Sequence, residues 1–166
     1  MSHLELLWDC AEIDDLARFK ALVQSTPDIN FVEDGESLLG YFSRLIPDGC
    51  DRYLKFVDYL LTEGADPNVS DSLGRSPMSN FARADHVEYI KLLERHGADL
   101  SYRAKQGNSA LQEALRVNCS KRVAEYILRH PNTVLDEGTK EELLKVARRA
   151  SARESLALLR TFGIEY

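Results

Sequence analysis

No stretch of this chain approaches the ~20 consecutive apolar residues that a membrane-spanning helix requires, so no transmembrane segment is expected. Met1 to Cys10 has no basic segment leading into an apolar one, the pattern of a secretory signal peptide. Cysteine is scarce: the 3 residues Cys10, Cys50 and Cys119 are odd in number and form no C-x-x-C pair. That count argues against a disulfide framework and for a reducing compartment, here the cytoplasm. Cys10 and Cys119 fall in helical stretches as small apolar fillers. The 4 histidines, His3, His86, His96 and His130, show no ligand spacing, so no metal is expected. His96 and His130 each stand where a helix should end, a place the helix dipole favours for a cation. The motifs G-x-x-x-x-G-K-[ST], G-x-G-x-x-G, G-x-S-x-G and H-E-x-x-H are all missing. Acidic pairs such as Asp14-Asp15 and Glu33-Asp34 have nothing converging on them in sequence. The sequence therefore predicts no catalytic residues, no cofactor and no enzymatic activity.

What remains is ordinary for a folded protein. Hydrophobic residues make up 44% and charged residues 29% of 166 positions, enough for one domain with a substantial core. The net charge of −6 is unevenly spread. Residues 1–74 carry 15 acidic and 5 basic side chains, and residues 75–166 carry 12 and 16. A nucleic-acid partner is not expected, since its contact face must be basic. The acidic half is instead expected to steer a basic protein partner.

The chain also repeats. Glu63-Gly64-Ala65-Asp66-Pro67-Asn68 returns 33 residues later as His96-Gly97-Ala98-Asp99-Leu100-Ser101. Gly74-Arg75-Ser76-Pro77-Met78 returns, also 33 later, as Gly107-Asn108-Ser109-Ala110-Leu111. A fixed period of this length means stacked supersecondary units. Pro77 suits the first turn of a helix and Ser76 its cap. Asp85 with Glu88 reads as a capping box for a second helix, whose apolar stripe is Val87, Ile90, Leu92 and Leu93. Gly97 permits the left-handed residue that ends that helix. Earlier units are expected as helices over 4–14 and 15–24, then from Gly35 with a second helix over 53–62. Residues 46–51 read as an insertion, because Gly35 lies 39 before Gly74. A last unit is expected to open at Gly138, with capping boxes at Thr139/Glu142 and Ser151/Glu154. Lys140, Glu141, Lys145, Arg148, Arg149 and Arg153 would give it a polar outer face.

Residues 74–101 closely resemble the ankyrin-repeat consensus: Ser76-Pro77-Met78-Ser79, the run His86 to Leu93, and Gly97-Ala98-Asp99. The resemblance implies an all-α, right-handed solenoid of about five helix-turn-helix repeats with β-hairpin finger turns. The repeats divide a single domain, 1–166, near 1–33, 34–73, 74–106, 107–137 and 138–166. His86 stands in the family's histidine position, as a structural residue.

The resemblance also implies a protein-binding concave face, made by the finger tips and the exposed side of each first helix. Carried across, that face holds Glu33, Asp34, Glu36, Tyr41 and Arg44 in repeat two. In repeat three it holds Ser70, Asp71, Ser72, Leu73, Arg75, Asn80 and Arg83. Repeat four supplies Arg103, Lys105, Gln106, Asn108, Glu113 and Arg116, and repeat five Asp136, Glu137 and Thr139. Trp8 takes the concave position of the first repeat. Trp8, Tyr41, Leu73 and Tyr102 stand out as anchors, because binding hot spots favour large aromatics and a finger tip gives an apolar residue little structural use. Such a stack is expected to work as a protein–protein interaction module and to be a monomer when free. The favoured role is an inhibitor or immunity protein that neutralises a partner toxin or enzyme; the alternative is an adaptor or regulator bridging cellular partners. A purely structural subunit is a third class.

Overall fold

A serine opens the first helix of four successive units. Ser2, Ser37 and Ser76 occupy the N-caps of α1 (His3–Glu12), α3 (Leu38–Leu45) and α5 (Pro77–Arg83). Their hydroxyls accept from the backbone N–H of Glu5, Gly40 and Ser79 at 3.1, 3.1 and 3.2 Å. Ser109 does the same for α7 (Ala110–Arg116), accepting from Gln112 N–H at 3.3 Å. Each bond satisfies a helix donor that has no intrahelical partner, worth about 1 kcal/mol. The computed structural model describes residues 2–69, 74–103, 108–116, 121–150 and 152–165.

Each first helix is followed by a second: α2 (Leu16–Ser25), α4 (Leu54–Thr62), α6 (Val87–Arg95) and α8 (Lys121–Arg129). A fifth pair is α9 (Glu137–Arg149) and α10 (Arg153–Thr161). The first helices form one row, α1 on α3 on α5 on α7 on α9, and the second helices another, α2 on α4 on α6 on α8 on α10. This is the all-α stack that the repeat implied. The core runs between the rows as one continuous cluster. Phe19 anchors its first part, edge-on to Phe42 at 5.7 Å and to Phe56 at 5.0 Å. Phe81 stacked on Tyr89 at 4.7 Å anchors its middle. His86 lies edge-on to both rings; burial lowers its pKa below the ordinary 6.5, so it packs as a neutral ring. Among the described residues, no helix is long and apolar enough to cross a membrane.

Of the expected fingers, the described residues contain one hairpin. Strands β1 (Val32–Glu33) and β2 (Glu36–Ser37) pair antiparallel, with Val32 opposite Ser37. Asp34 and Gly35 make its two-residue turn at φ 53° and 80°, the left-handed pair that Asp-Gly supplies most readily. At the roots of the fingers a second device repeats. Asp28, Asp66 and Asp99 accept from the backbone N–H of Asn30, Asn68 and Ser101 at 2.9, 2.8 and 2.8 Å. Asn30 and Asn68 then accept from Asp66 N–H and Asp99 N–H of the next unit, at 2.7 and 3.3 Å. Each asparagine thus latches one repeat to its successor.

Two local expectations are corrected, and a third, the Ser151/Glu154 capping box, rests on a residue outside those described. Asp85 does not cap α6; with φ at 56° its carboxylate turns away and accepts from Val123 N–H of α8 at 2.9 Å, capping the neighbouring repeat's helix instead. The fifth unit starts earlier than Thr139. Asp136 caps α9 by accepting from Thr139 N–H at 2.7 Å, so Gly138 lies in the first helical turn rather than in a finger. Ser151 lies outside the described residues, α10 has no side-chain cap, and Glu154 pairs with Lys121 at 2.8 Å.

The insertion is tied down. Tyr89 donates its hydroxyl to Cys50 O at 2.8 Å. Arg52 reaches the carbonyls of Ala11 and Glu12 that end α1, and its guanidinium lies 4.7 Å over the Tyr53 ring. A cation at a helix C-terminus is favoured by both the free carbonyls and the dipole.

Candidate functional site

Because the capping serine fixes where each first helix begins, it also fixes what stands in the last turn. Seven residues after Ser37, Ser76 and Ser109 come Arg44, Arg83 and Arg116. The fifth unit has lost the serine but kept the register. The buried Ala110, Leu111 and Ala114 of α7 recur 33 later as the buried Leu143, Leu144 and Ala147 of α9. The same step takes Arg116 to Arg149. Four adjacent helices therefore place an arginine in one position, while the first helix places Asp9 there, seven residues after Ser2.

These arginines face a common groove. Arg44, Arg83 and Arg116, with Arg75, line a hollow of about 440 Å³ across α3, α5 and α7. Asp48, Asn80 and Glu113 complete its polar wall. Arg116 and Arg149, with Asn108 and Val146, line a second hollow of about 480 Å³. Both are lined by Arg116, so the two hollows lie side by side along the row of first helices.

Several of the groove's side chains are held in place by residues in or beside it. Glu36, with its side chain only 13% exposed, lies 3.3 Å from Arg44 Nε, and that guanidinium stands 5.4 Å over the Tyr41 ring. Glu113, 8% exposed, accepts from Arg116 Nη1 at 2.9 Å and from Asn108 Nδ2 at 2.7 Å. Asn80 donates to Ser43 Oγ at 3.0 Å, joining the helices of repeats two and three under the groove. Arginines fixed in this way lose less rotamer freedom when a ligand arrives.

The residues singled out in the sequence divide into several groups. Arg44, Arg75 and Arg83 come together in the groove, with Asn80, Glu113 and Arg116. Tyr41 is half-buried beside it, and burial raises its hydroxyl pKa above 10.0. Trp8 is half-buried, stacked on Tyr53 at 5.0 Å and edge-on to Phe42 at 5.2 Å, so much of its ring serves packing. Tyr102 is half-buried at a finger root, and Arg103 bridges to Glu142 on α9 at 2.9 Å. Asp71, Ser72, Leu73, Lys105 and Gln106, with Ser70, lie outside the described residues.

Glu33 and Glu36, placed on the binding face by the sequence, also serve contacts within the molecule. Glu33 accepts from the N–H groups of His3 and Leu4 at 3.4 and 3.1 Å, so it caps α1, and Glu36 belongs to Arg44. Only Asp34 of the three is fully exposed. In repeat five, Asp136 is a helix cap whose hydrogen bond with Thr139 lowers its pKa, and Glu137 pairs with Lys140 at 2.7 Å. Arg149 faces the groove, not the outer surface. The missed residues are Asp48, which comes from the insertion, and Arg149. The regular step from Arg83 to Arg116 to Arg149 was the signal that would have found the second.

Comparison with known proteins fits this architecture. Residues 49–137 match the family model described as ankyrin repeats (3 copies). Over 67 residues, 39% of the chain, the sequence is 40% identical to the human SH3 and multiple ankyrin repeat domains protein 2, covering 4% of that protein. Over 80 residues, 48% of the chain, it is 25% identical to an ankyrin repeat protein of Rickettsia felis, covering 20% of it. Over 59 residues, 36% of the chain, it is 34% identical to the Arabidopsis thaliana potassium channel AKT2/3, covering 7%. The chain thus spans at most 20% of the length of these relatives.

Proposed function

Since the chain belongs to the ankyrin-repeat family, a family of protein-interaction scaffolds, we propose that it binds another protein along the row of first helices and inhibits it by covering its working surface. The observation that carries this reading is the pair of adjoining hollows lined by residues of α3, α5, α7 and α9, where Glu36 braces Arg44 and Glu113 braces Arg116. A preformed face of this kind lowers the ordering cost of binding, which is what a tight, one-to-one inhibitor needs. The 3 cysteines of the sequence, with no C-x-x-C pair, favour a reducing compartment such as the cytoplasm. A toxin or enzyme is the class of partner for which simple coverage is a complete mechanism.

Ala84 lines the groove and carries no charge. Ala84→Trp should therefore block the face sterically without altering its electrostatics. The wild-type chain should capture one stoichiometric partner from the source organism and abolish that partner's activity. Ala84→Trp should lose the capture at least tenfold, while Arg95→Gln, among the second-helix residues, should not. Retained capture by a folded Ala84→Trp would remove the face from the mechanism. A captured partner that stays active while holding a second protein would make the chain an adaptor.

A further inference from the structure

The arginine row has a geometry more specific than a positive patch. Arg44, Arg83, Arg116 and Arg149 are 39, 33 and 33 residues apart in sequence, but each is one helix from the next in the stack. Packed helices lie about 8–10 Å apart. The row is thus a ladder of arginine-bearing positions with a step of roughly 9 Å. A last-turn cation is favoured by the dipole of its own helix alone. The dipole does not explain one residue type in one position of four consecutive helices, all lining a shared groove.

We propose that the groove binds an extended acidic segment of the partner, with an aspartate or glutamate at about every third residue; this rests on the protein-binding reading above. A polyproline II chain has three residues per turn and rises about 3.1 Å per residue, so every third side chain returns to the same edge about 9.3 Å on. That repeat matches the ladder step. A β-strand does not match, because residues three apart point to opposite faces. Duplex nucleic acid matches less well still, with a phosphate on each strand about every 3.4 Å of helix axis, facing a chain of net charge −6. Acid-rich segments are commonly disordered and extended before binding, and a ladder of rigid forks suits them.

The carboxylates in the groove sharpen the assignment. Asp48 and Glu113 line the hollows with Arg44, Arg75, Arg83, Arg116 and Arg149, and Glu36 pairs with Arg44 beside them, so the lining carries more arginines than carboxylates without being densely positive. Glu36 and Glu113 hold Arg44 and Arg116 at fixed points, and a ligand must offer charge at matching intervals to gain from them. A partner with clustered charge would meet the carboxylates between the arginines.

The test uses the whole chain and fluorescent twelve-residue peptides read by anisotropy. One peptide is four copies of Glu-Pro-Ala, in which proline holds each preceding glutamate extended. The other has the same composition with its four glutamates adjacent. The spaced peptide should bind at least tenfold more tightly than the clustered one, and its affinity should fall as salt rises from 50 to 300 mM. Arg83→Gln and Arg116→Gln should each weaken it about tenfold, the size of one charge-assisted contact, while Arg95→Gln should leave it unchanged. Equal affinity for the two peptides would overturn the ladder assignment, and that comparison needs no variant. So would a single-stranded oligonucleotide or inorganic phosphate binding as tightly as the spaced peptide, since the groove would then be a general anion site. Should Ala84→Trp abolish capture of the natural partner while both arginine variants retain it, the face reading stands and the acidic-segment reading falls.

Discussion

Gly97 is held at φ 84°, and a Cβ built on it would meet nothing within 4 Å. Any penalty for a side chain there comes from the backbone alone. Gly97→Val should therefore destabilise the protein by roughly 1–3 kcal/mol, the range for a β-branched residue forced into the left-handed region. Urea unfolding measures it, and a loss under ~0.5 kcal/mol would mean that the helix ends differently. Gly64 and Gly163 take the same conformation at φ 97° and 69°, so this feature was legible from the period of 33. The intervening position holds His130, which instead lies 3.2 Å from Glu94, a substitution that periodicity gives no means to foresee. Asp85 departs from the sequence pattern for a related reason. Its type and spacing satisfy the rule for capping its own helix, but a positive φ sends the carboxylate to the neighbouring one, and only the fold brings that neighbour close.

At the scale of elements, the insertion shows how extra length is absorbed. Residues 46–51 were recognisable as surplus, whereas their fastening was not, since Tyr89 and Arg52 act on partners 39 to 41 positions away. Tyr89→Phe keeps the ring stacked on Phe81 and removes one buried hydrogen bond. It should cost about 1 kcal/mol. It should also raise the reaction rate of Cys50 with a thiol reagent, measured with Cys10 and Cys119 changed to serine, because the carbonyl it releases belongs to that residue. An unchanged rate at reduced stability would show that the loop is fixed by its other contacts. The helices themselves were readable from caps and apolar stripes. The last pair was placed late, because Gly138 imitates a finger glycine while Asp136 starts the helix before it.

At the scale of the whole molecule, packing passes from each helix pair to the next through both rows. Stability in such a stack is approximately a sum of unit and neighbour terms. Phe19→Leu in the second helix of the chain and Leu159→Ala in the tenth should therefore add within about 0.5 kcal/mol when combined, as distant sites do. A larger coupling in urea titrations of the two single variants and the double would show that the stack behaves as one indivisible core. The charge imbalance between the halves was plain in the sequence, but its use was not. Glu33 and Glu36 serve internal contacts, and the side chains that define the groove are the arginines spread across repeats two to five. The unequal intervals along that row carry a last consequence. The surplus residues of the insertion lie between α3 and α4, so the arginine-bearing helices still follow one another directly in the stack although the marks are uneven in number. The molecule is a ruler whose gradations are set by helix thickness and not by chain length. A loop between the paired helices can therefore be lengthened without changing the interval between first helices, whereas trimming residues 46–51 would remove Asp48 from the groove wall.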